Sequence, residues 1–143
     1  MKKTFKKDQL NKIANNLILK IIKNKKATAT VVALSGDLGS GKTNLTQEIA
    51  SLLGIKENII SPTFVIMKKY KILNNEFKNL IHIDAYRMEK SIELLNLNWK
   101  ELISDKNNLI FIEWPEKVAD IIPKTAIEVF LYHVDEETRE IKF

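Results

Sequence analysis

The sequence has no cysteine, and this absence excludes thiol catalysis, a disulfide framework, iron–sulfur clusters and cysteine-ligated zinc sites. Histidine is almost as scarce, and the two present, His82 and His133, argue against a histidine-rich metal site. No stretch approaches the ~18 apolar residues of a membrane span, and charged residues interrupt the apolar run that a signal peptide would need after Met1. The sequence therefore predicts a soluble, cytoplasmic protein.

Arginine is also rare, although the chain is basic. Its 143 residues carry a formal net charge of +5 with a pI near 9.3, and lysines are concentrated in residues 1–30. Only Arg87 and Arg139 provide guanidinium groups, which are the preferred groups for bidentate contacts to phosphates and bases. This scarcity argues against sequence-specific recognition of nucleic acid. Two interpretations of the basic surface stay open: a solvated face, or a contact with RNA or an acidic partner.

Helical and extended patterns alternate along the chain. Apolar residues from Leu10 to Ile22 have the spacing of an amphipathic helix, and a β-branched run at 28–34 predicts a buried strand. The alternation and the length predict one α/β domain over residues 1–143, with a largely parallel sheet and an antiparallel hairpin. Further helices are predicted at 42–53 and 89–103, and further strands at 64–70, 80–83, 109–112, 126–132 and near Ile141, with a turn at Asn74-Asn75.

A glycine-rich motif separates the strand at 28–34 from the helix at 42–53. The chain has four glycines, yet three of them, Gly36, Gly39 and Gly41, lie close together in GDLGSGKT (36–43), which matches G-x-x-x-x-G-K-[ST]. Glycines let backbone N–H groups turn around phosphate oxygens, Lys42 supplies a cation for the β- and γ-phosphates, and the Thr43 hydroxyl ligates Mg²⁺. The motif therefore predicts a P-loop NTPase-type three-layer fold that binds a nucleoside triphosphate.

Two acidic residues end apolar strands downstream of this loop: Asp84 ends LIHID and Glu113 ends LIFIE. A P-loop enzyme needs a carboxylate at the end of a neighbouring strand to hold Mg²⁺ and its water shell. We expect one acid to coordinate Mg²⁺ and the other to orient the attacking water, and the spacing does not assign these roles. Arg87 is interpreted as the partner of an acid or of a phosphate, and Trp114 as a base-stacking or a core residue. His82 is predicted to be a buried structural histidine.

Four motifs in this order resemble those of one family, the TsaE family, over roughly residues 5–142: GDLGSGKT (36–43), SPTF (61–64), HIDAYR (82–87) and EWPE (113–116). These are the bacterial P-loop ATPases of tRNA threonylcarbamoyladenosine synthesis. The resemblance implies a Mg²⁺-dependent ATPase with ATP and Mg²⁺ as cofactors. It also implies TsaB and TsaD as partners, which modify tRNAs at the adenosine beside the anticodon; direct contact with tRNA is left open.

The resemblance also assigns roles to individual residues. It implies that Lys42 and Thr43 bind phosphate and Mg²⁺, and that Thr63 lies in a nucleotide-sensitive switch. The expected catalytic residues are Lys42, Asp84 and Glu113, and the expected Mg²⁺ ligands are Thr43, Asp84 and Glu113. The expected nucleotide-binding residues are Gly36, Gly39, Ser40, Gly41, Lys42, Thr43, Asn44, Trp114 and Arg139.

The sequence departs from the family pattern at three places. Asn44 stands where the family has a second threonine after the loop, and Leu97-Asn98 and Ile13-Ala14 stand where it has Leu-Gly. These departures leave the phosphate-binding residues intact. They affect helix packing and the turn before Trp99.

Two other functions stay open. A small-molecule P-loop kinase would need a lid with arginines that screen the transferred phosphate, and two arginines offer little for that purpose. A nucleotide-dependent docking module with negligible turnover would use the same loop and bind a partner according to its ATP or ADP state. An ABC-type role is excluded because the sequence has no LSGGQ-like signature.

Overall fold

The computed structural model describes residues 1–60, 66–73 and 76–143. The strands in these ranges are β1 (Lys2–Lys6), β2 (Thr30–Ser35), β3 (Met67–Lys71), β4 (Asn79–Asp84), β5 (Asn108–Glu113), β6 (Ile127–His133) and β7 (Thr138–Lys142). The α-helices are α1 (Leu10–Lys23), α2 (Lys42–Leu52), α3 (Ile92–Leu95) and α4 (Trp99–Ser104), and 3₁₀ segments cover Lys7–Gln9 and Pro115–Ile121. None of the helices described combines the length and the apolar character needed to cross a membrane.

The strands form one mixed sheet in the order β1-β7-β6-β2-β5-β4-β3. Its centre, β6-β2-β5-β4, is parallel, whereas β3, β7 and β1 each pair antiparallel with a neighbour. Every residue of β5 is buried, as expected for a parallel strand that is covered on both faces. Because the central strands are parallel, the carboxyl ends of β2, β4 and β5 meet at one edge of the sheet.

Helices cover both faces of this sheet and give it three layers. Leu17 of α1 and Ile49 of α2 share one buried core with Val32 of β2. On the opposite face, Trp99 of α4 shares a second core with Val31 of the same strand. Successive side chains of a strand point to opposite faces, so the unbroken apolar run of β2 supplies both cores.

The α/β class, the parallel centre and the antiparallel hairpin, which β3 and β4 form, are confirmed. The turn predicted at Asn74-Asn75 and residues 64–65 of a predicted strand lie outside the described residues. The prediction of a single helix over 89–103 is wrong, because α3 ends at Leu95 and α4 begins at Trp99. Between them, Asn98 has φ 62° and ψ 34°, a left-handed conformation that a right-handed helix does not accommodate.

Strand β1 was not predicted from the sequence. Phe5 is its one buried residue, and the others are lysines and a threonine, so the strand has no apolar alternation. It forms through pairing with β7 at the opposite end of the chain, where Lys2 lies beside Lys142 and Lys6 beside Thr138. Such a pairing is non-local, and a local sequence pattern does not reveal it. Lysines on an edge strand also protect its free side from pairing with other chains.

Candidate functional site

The glycine-rich loop connects the end of β2 to the first residue of α2. At Gly36, φ is +152°, and a Cβ atom would lie 2.4 Å from the Leu131 carbonyl oxygen and 2.6 Å from Oγ of Ser40, so this approach requires glycine. Ser40 is buried, and its Oγ has no hydrogen-bond partner among the residues that the structure describes. A buried hydroxyl in need of a partner, at the N-terminal end of an 11-residue helix, fits a phosphate oxygen.

The ammonium group of Lys42 is held inside this site. The residue is 5% exposed, and its Nζ donates hydrogen bonds to the carbonyl oxygens of Gly36 and Asp37. Nζ also lies 4.3 Å from the centre of the Trp114 ring, within the range of a cation–π interaction. Burial lowers the pKa of Lys42, and nearby carboxylates, chiefly Glu113, oppose this shift. An ammonium that has lost its water to neutral carbonyl groups is suited to bind an anion.

Asp84 and Glu113 lie side by side, because each is the last residue of its strand and β4 and β5 are parallel and in register. Glu113 is buried, and Asp84 is half-buried and accepts a hydrogen bond from the Tyr86 N–H at 2.9 Å. Both acids line the same cleft as Thr43. Within the described ranges no three His, Cys, Asp or Glu side chains form a metal cluster of their own. A hydroxyl and two carboxylates fit Mg²⁺, which keeps several waters and takes further ligands from phosphates.

Trp114 and Tyr86 form an aromatic wall of the cleft. Trp114 has φ 59° and ψ 50°, and its backbone N–H donates a hydrogen bond to the Leu34 carbonyl oxygen at 3.3 Å. Its ring centre lies 5.0 Å from that of Tyr86, with the planes tilted by 51°, which is typical of attractive aromatic pairs. Pro115 follows at once and begins the 3₁₀ segment. The half-buried Trp114 ring thus lies over Lys42, and its stacking on a base stays a prediction.

The structure brings most of the predicted site residues together in one cleft of about 710 Å³. Gly36 is not among the residues that line the cleft, but its carbonyl oxygen accepts a hydrogen bond from Lys42, which does line it. Arg139 lies apart, in a second pocket of about 240 Å³ that it lines with Phe5, Leu10 and Asn44 among others. The predicted residues that line the large cleft are Gly39, Ser40, Gly41, Lys42, Thr43, Asn44, Asp84, Glu113 and Trp114, with Arg87 beside them. Ser40, Gly41 and Asn44 line both pockets, so the loop lies between them.

Comparison with protein families decides the family of this chain. The model of a family described as "Threonylcarbamoyl adenosine biosynthesis protein TsaE" matches residues 5–141. The chain belongs to the TsaE family. This membership connects the chain with the biosynthesis of threonylcarbamoyladenosine in tRNA.

Individual relatives agree with the TsaE assignment. The three described here are each named tRNA threonylcarbamoyladenosine biosynthesis protein TsaE. The relative from Nostoc sp. is 37% identical over 142 residues, which cover 93% of this chain and 85% of that protein. The Bacillus subtilis relative is 35% identical over 113 residues, which cover 79% of this chain and 68% of that protein. The Rickettsia felis relative is 39% identical over 110 residues, which cover 76% of this chain and 61% of that protein. The chain therefore spans about three fifths of that relative's length.

A solved structure shares the overall fold of this chain. The crystal structure of Bacillus subtilis YdiB superposes with a TM-score of 0.69 and covers 99% of this chain and 83% of that one, at 24% sequence identity.

The departures from the TsaE pattern leave the site in place. Asn98, at the glycine position of the family, keeps the left-handed backbone, which asparagine tolerates better than other residues with a Cβ. Ile13 and Ala14 are fully buried in the core, and Asn44 is exposed beside the loop. Thr63, the expected switch residue, lies outside the described residues.

Several residues near the two pockets are not among those predicted from the sequence. Tyr86 lies within HIDAYR and could have been identified from that motif, whereas Phe5 reaches the second pocket through the non-local pairing of β1. The predicted burial of His82 is confirmed. Its contact with Glu113, with 2.5 Å between Nε2 and Oε2, was not predicted, because it depends on the register of β4 against β5.

Proposed function

We propose that this chain binds ATP with Mg²⁺ and hydrolyses ATP, as the ATPase component that acts with TsaB and TsaD in threonylcarbamoyladenosine modification of tRNA. The observation that carries the proposal is the buried ammonium of Lys42 between the phosphate loop and the paired carboxylates Asp84 and Glu113. A phosphate loop alone serves many binding proteins. Hydrolysis also requires carboxylates at the metal and the attacking water, and the neighbouring acids Asp84 and Glu113 in the same cleft support this part of the proposal.

The chain's own residues then have distinct tasks. Backbone N–H groups of the loop bind the phosphates, and Lys42 exchanges its two carbonyl partners for phosphate oxygens. Thr43, Asp84 and Glu113 would hold Mg²⁺, directly or through its waters, and one of the two acids orients the attacking water. When bound, the metal neutralises charge on the phosphates.

We assign the nucleoside to the second pocket. Its lining combines apolar side chains, such as Phe5 and Leu131, with the polar groups of Arg139 and Asn44, and this mixture suits a base and a ribose. Against Trp114, a base would compete with the Lys42 ammonium, which lies 4.3 Å from the ring centre. The pocket adjoins the loop at Ser40, so one nucleotide can reach both places.

The experiment that tests the proposal is ATP hydrolysis by the chain alone and with its cognate TsaB–TsaD pair. We expect the pair to stimulate turnover and Lys42→Ala to abolish nucleotide binding, because the variant removes the one buried cation of the loop. Lys100→Ala is the matched control, since Lys100 is exposed and lines neither pocket. Retained ATP affinity in Lys42→Ala would contradict the proposed site.

A second variant separates binding from chemistry. Glu113→Gln keeps the shape of the side chain but removes its charge and replaces one acceptor oxygen with an N–H donor group. We expect turnover to fall by about 100-fold, a loss typical of acid–base residues, with a smaller loss of binding. Equal losses would indicate a structural role for Glu113. ATP binding without turnover, with and without the partners, would favour the nucleotide-dependent docking module.

A further inference from the structure

A histidine and a glutamate form a buried pair beside the cleft. His82 is 0% exposed and Glu113 is 3% exposed, and Nε2 of His82 lies 2.5 Å from Oε2 of Glu113. The register of the parallel strands explains the contact, because His82 lies beside Phe111 and Asp84 lies beside Glu113. The imidazole therefore reaches diagonally to the next residue on the same face of the neighbouring strand.

The contact joins a ring nitrogen of His82 to a carboxylate oxygen of Glu113. An imidazole N–H donates hydrogen bonds and a carboxylate oxygen accepts them, so we assign the Nε2–H group of His82 as the donor to Oε2 of Glu113. Nδ1 has no hydrogen-bond partner in residues 1–60, 66–73 and 76–143. With Nε2–H as the donor, Nδ1 is an acceptor and needs no proton of its own. In this assignment the ring directs its Nε2–H at the carboxylate.

Packing alone does not account for a histidine at this position. His82 lies on the same face of β4 as Leu80, which belongs to the apolar core beneath α1 and α2. An apolar side chain would fill the space without leaving a buried nitrogen unpaired. What the histidine adds is the hydrogen bond to Glu113. Because Glu113 also lines the cleft, this bond restricts the orientation in which its carboxylate meets a ligand.

We propose that His82 is a positioning residue that holds the Glu113 carboxylate in the orientation that the Mg²⁺–ATP site requires. This inference rests on the proposed function, because it assigns Glu113 to a bound metal. Removing a hydrogen-bond partner behind a metal ligand typically lowers metal affinity by 10–100-fold. His82 does not line the cleft, so its loss leaves the contacts of the loop with the phosphates unchanged.

The first test compares nucleotide binding with and without Mg²⁺. In isothermal titration calorimetry of the whole chain, ATP is titrated into wild type, His82→Leu and His82→Gln, with Mg²⁺ varied and with EDTA as the metal-free condition. We expect His82→Leu to raise the half-saturating Mg²⁺ concentration about tenfold without changing the affinity in EDTA. His82→Gln should recover most of the loss, because its amide N–H can replace the Nε2 donor. His133→Gln, at the exposed histidine, should behave as wild type.

The outcomes separate the two proposals. Wild-type Mg²⁺ dependence in His82→Leu overturns the role of His82 alone. A wild-type chain that binds ATP without responding to Mg²⁺ overturns the assignment of Glu113 to a metal, and the positioning role with it. An equal loss of affinity in Mg²⁺ and in EDTA overturns positioning in favour of a purely structural role.

The second test needs neither ATP nor a well-folded His82 variant. The chain has two histidines, so nitrogen-15 NMR of the wild-type imidazoles resolves His82 from His133. We expect His82 as the Nε2–H tautomer, with ring resonances that move in Glu113→Gln while those of His133 stay in place. Observation of the Nδ1–H tautomer, or of His82 resonances that do not shift in Glu113→Gln, would contradict the hydrogen bond on which the inference depends.

Discussion

Replacing Gly36 with alanine should destabilise the folded chain more than any other glycine-to-alanine change in the phosphate loop. The β2–β6 register places Ser35 beside Phe130, so Gly36 comes next to the backbone of Leu131. An alanine Cβ would lie 2.4 Å from the Leu131 carbonyl oxygen and 2.6 Å from Oγ of Ser40. The serine side chain can rotate, but the carbonyl belongs to a strand that is paired with β7.

Two terms set the size of the effect of Gly36→Ala. Holding alanine at φ +152° costs about 1–3 kcal/mol, as for other non-glycine residues in sparsely populated backbone regions. Inserting a methyl group against a fixed backbone costs about another 1–3 kcal/mol. The free energy of unfolding should therefore fall by about 2–6 kcal/mol, and for a domain of this length the midpoint of thermal unfolding should fall by roughly 3 °C for each kcal/mol.

Gly54→Ala is the matched control. Gly54 also has a positive φ, +85°, but nothing lies within 4 Å of the added Cβ, so the backbone cost of about 1 kcal/mol stands alone. Thermal and urea unfolding, followed by circular dichroism, measure both variants. If Gly36→Ala proves no less stable than Gly54→Ala, the close approach of the loop to β6 does not act as a steric constraint, which contradicts the prediction.

Two further predictions follow from backbone conformation and from charge. Asn98→Ala should lower the free energy of unfolding by about 1 kcal/mol, because alanine tolerates the left-handed region less well than asparagine. Asn98→Gly should change this free energy by less than about 0.5 kcal/mol. Urea unfolding measures both variants, and equal stability of the wild type and the two variants would contradict the prediction. Burial lowers the pKa of Lys42 in the free chain, and bound phosphates would raise it. At a pH above the lowered pKa, ATP binding therefore takes up a proton, and the affinity for ATP falls as the pH rises. Calorimetry in alkaline buffers of different ionisation enthalpy measures this uptake, and Lys42→Arg, which keeps its charge, should abolish it.

The predicted site residues came together because parallel strands place their carboxyl ends at one edge of the sheet. Asp84 and Glu113 were identified as acids that end apolar strands, and the parallel pairing of β4 with β5 then makes them neighbours. The second pocket could not be inferred in this way. It depends on the pairing of β1 with β7, which joins the two ends of the chain and carries Phe5 and Arg139 to the loop.

Contacts that depend on side-chain orientation were beyond sequence analysis. The spacing of HIDAYR places His82 and Asp84 on one face of a strand, but not at a particular distance from Glu113. Likewise, the loop motif predicts a lysine for phosphates, whereas the structure shows Lys42 bonded to the carbonyl oxygens of its own loop. Such contacts follow from register, rotamer and burial together, and none of these is encoded by a single motif.

Among the residues that the structure describes, Asn98 and Trp114 have a Cβ and adopt the left-handed conformation, and the two differ in the effect of this strain. Asparagine tolerates this conformation, and Asn98 is the residue directly before α4, three positions after the end of α3. For tryptophan the same conformation costs about 1–2 kcal/mol, and a strained bulky residue persists where its surroundings enforce it. At Trp114 the backbone bonds to β2 and Pro115 follows at once, so the ring is turned toward Lys42 and Tyr86. The strained residue comes directly after Glu113, so a carboxylate and an aromatic ring follow one another in the lining of the same cleft.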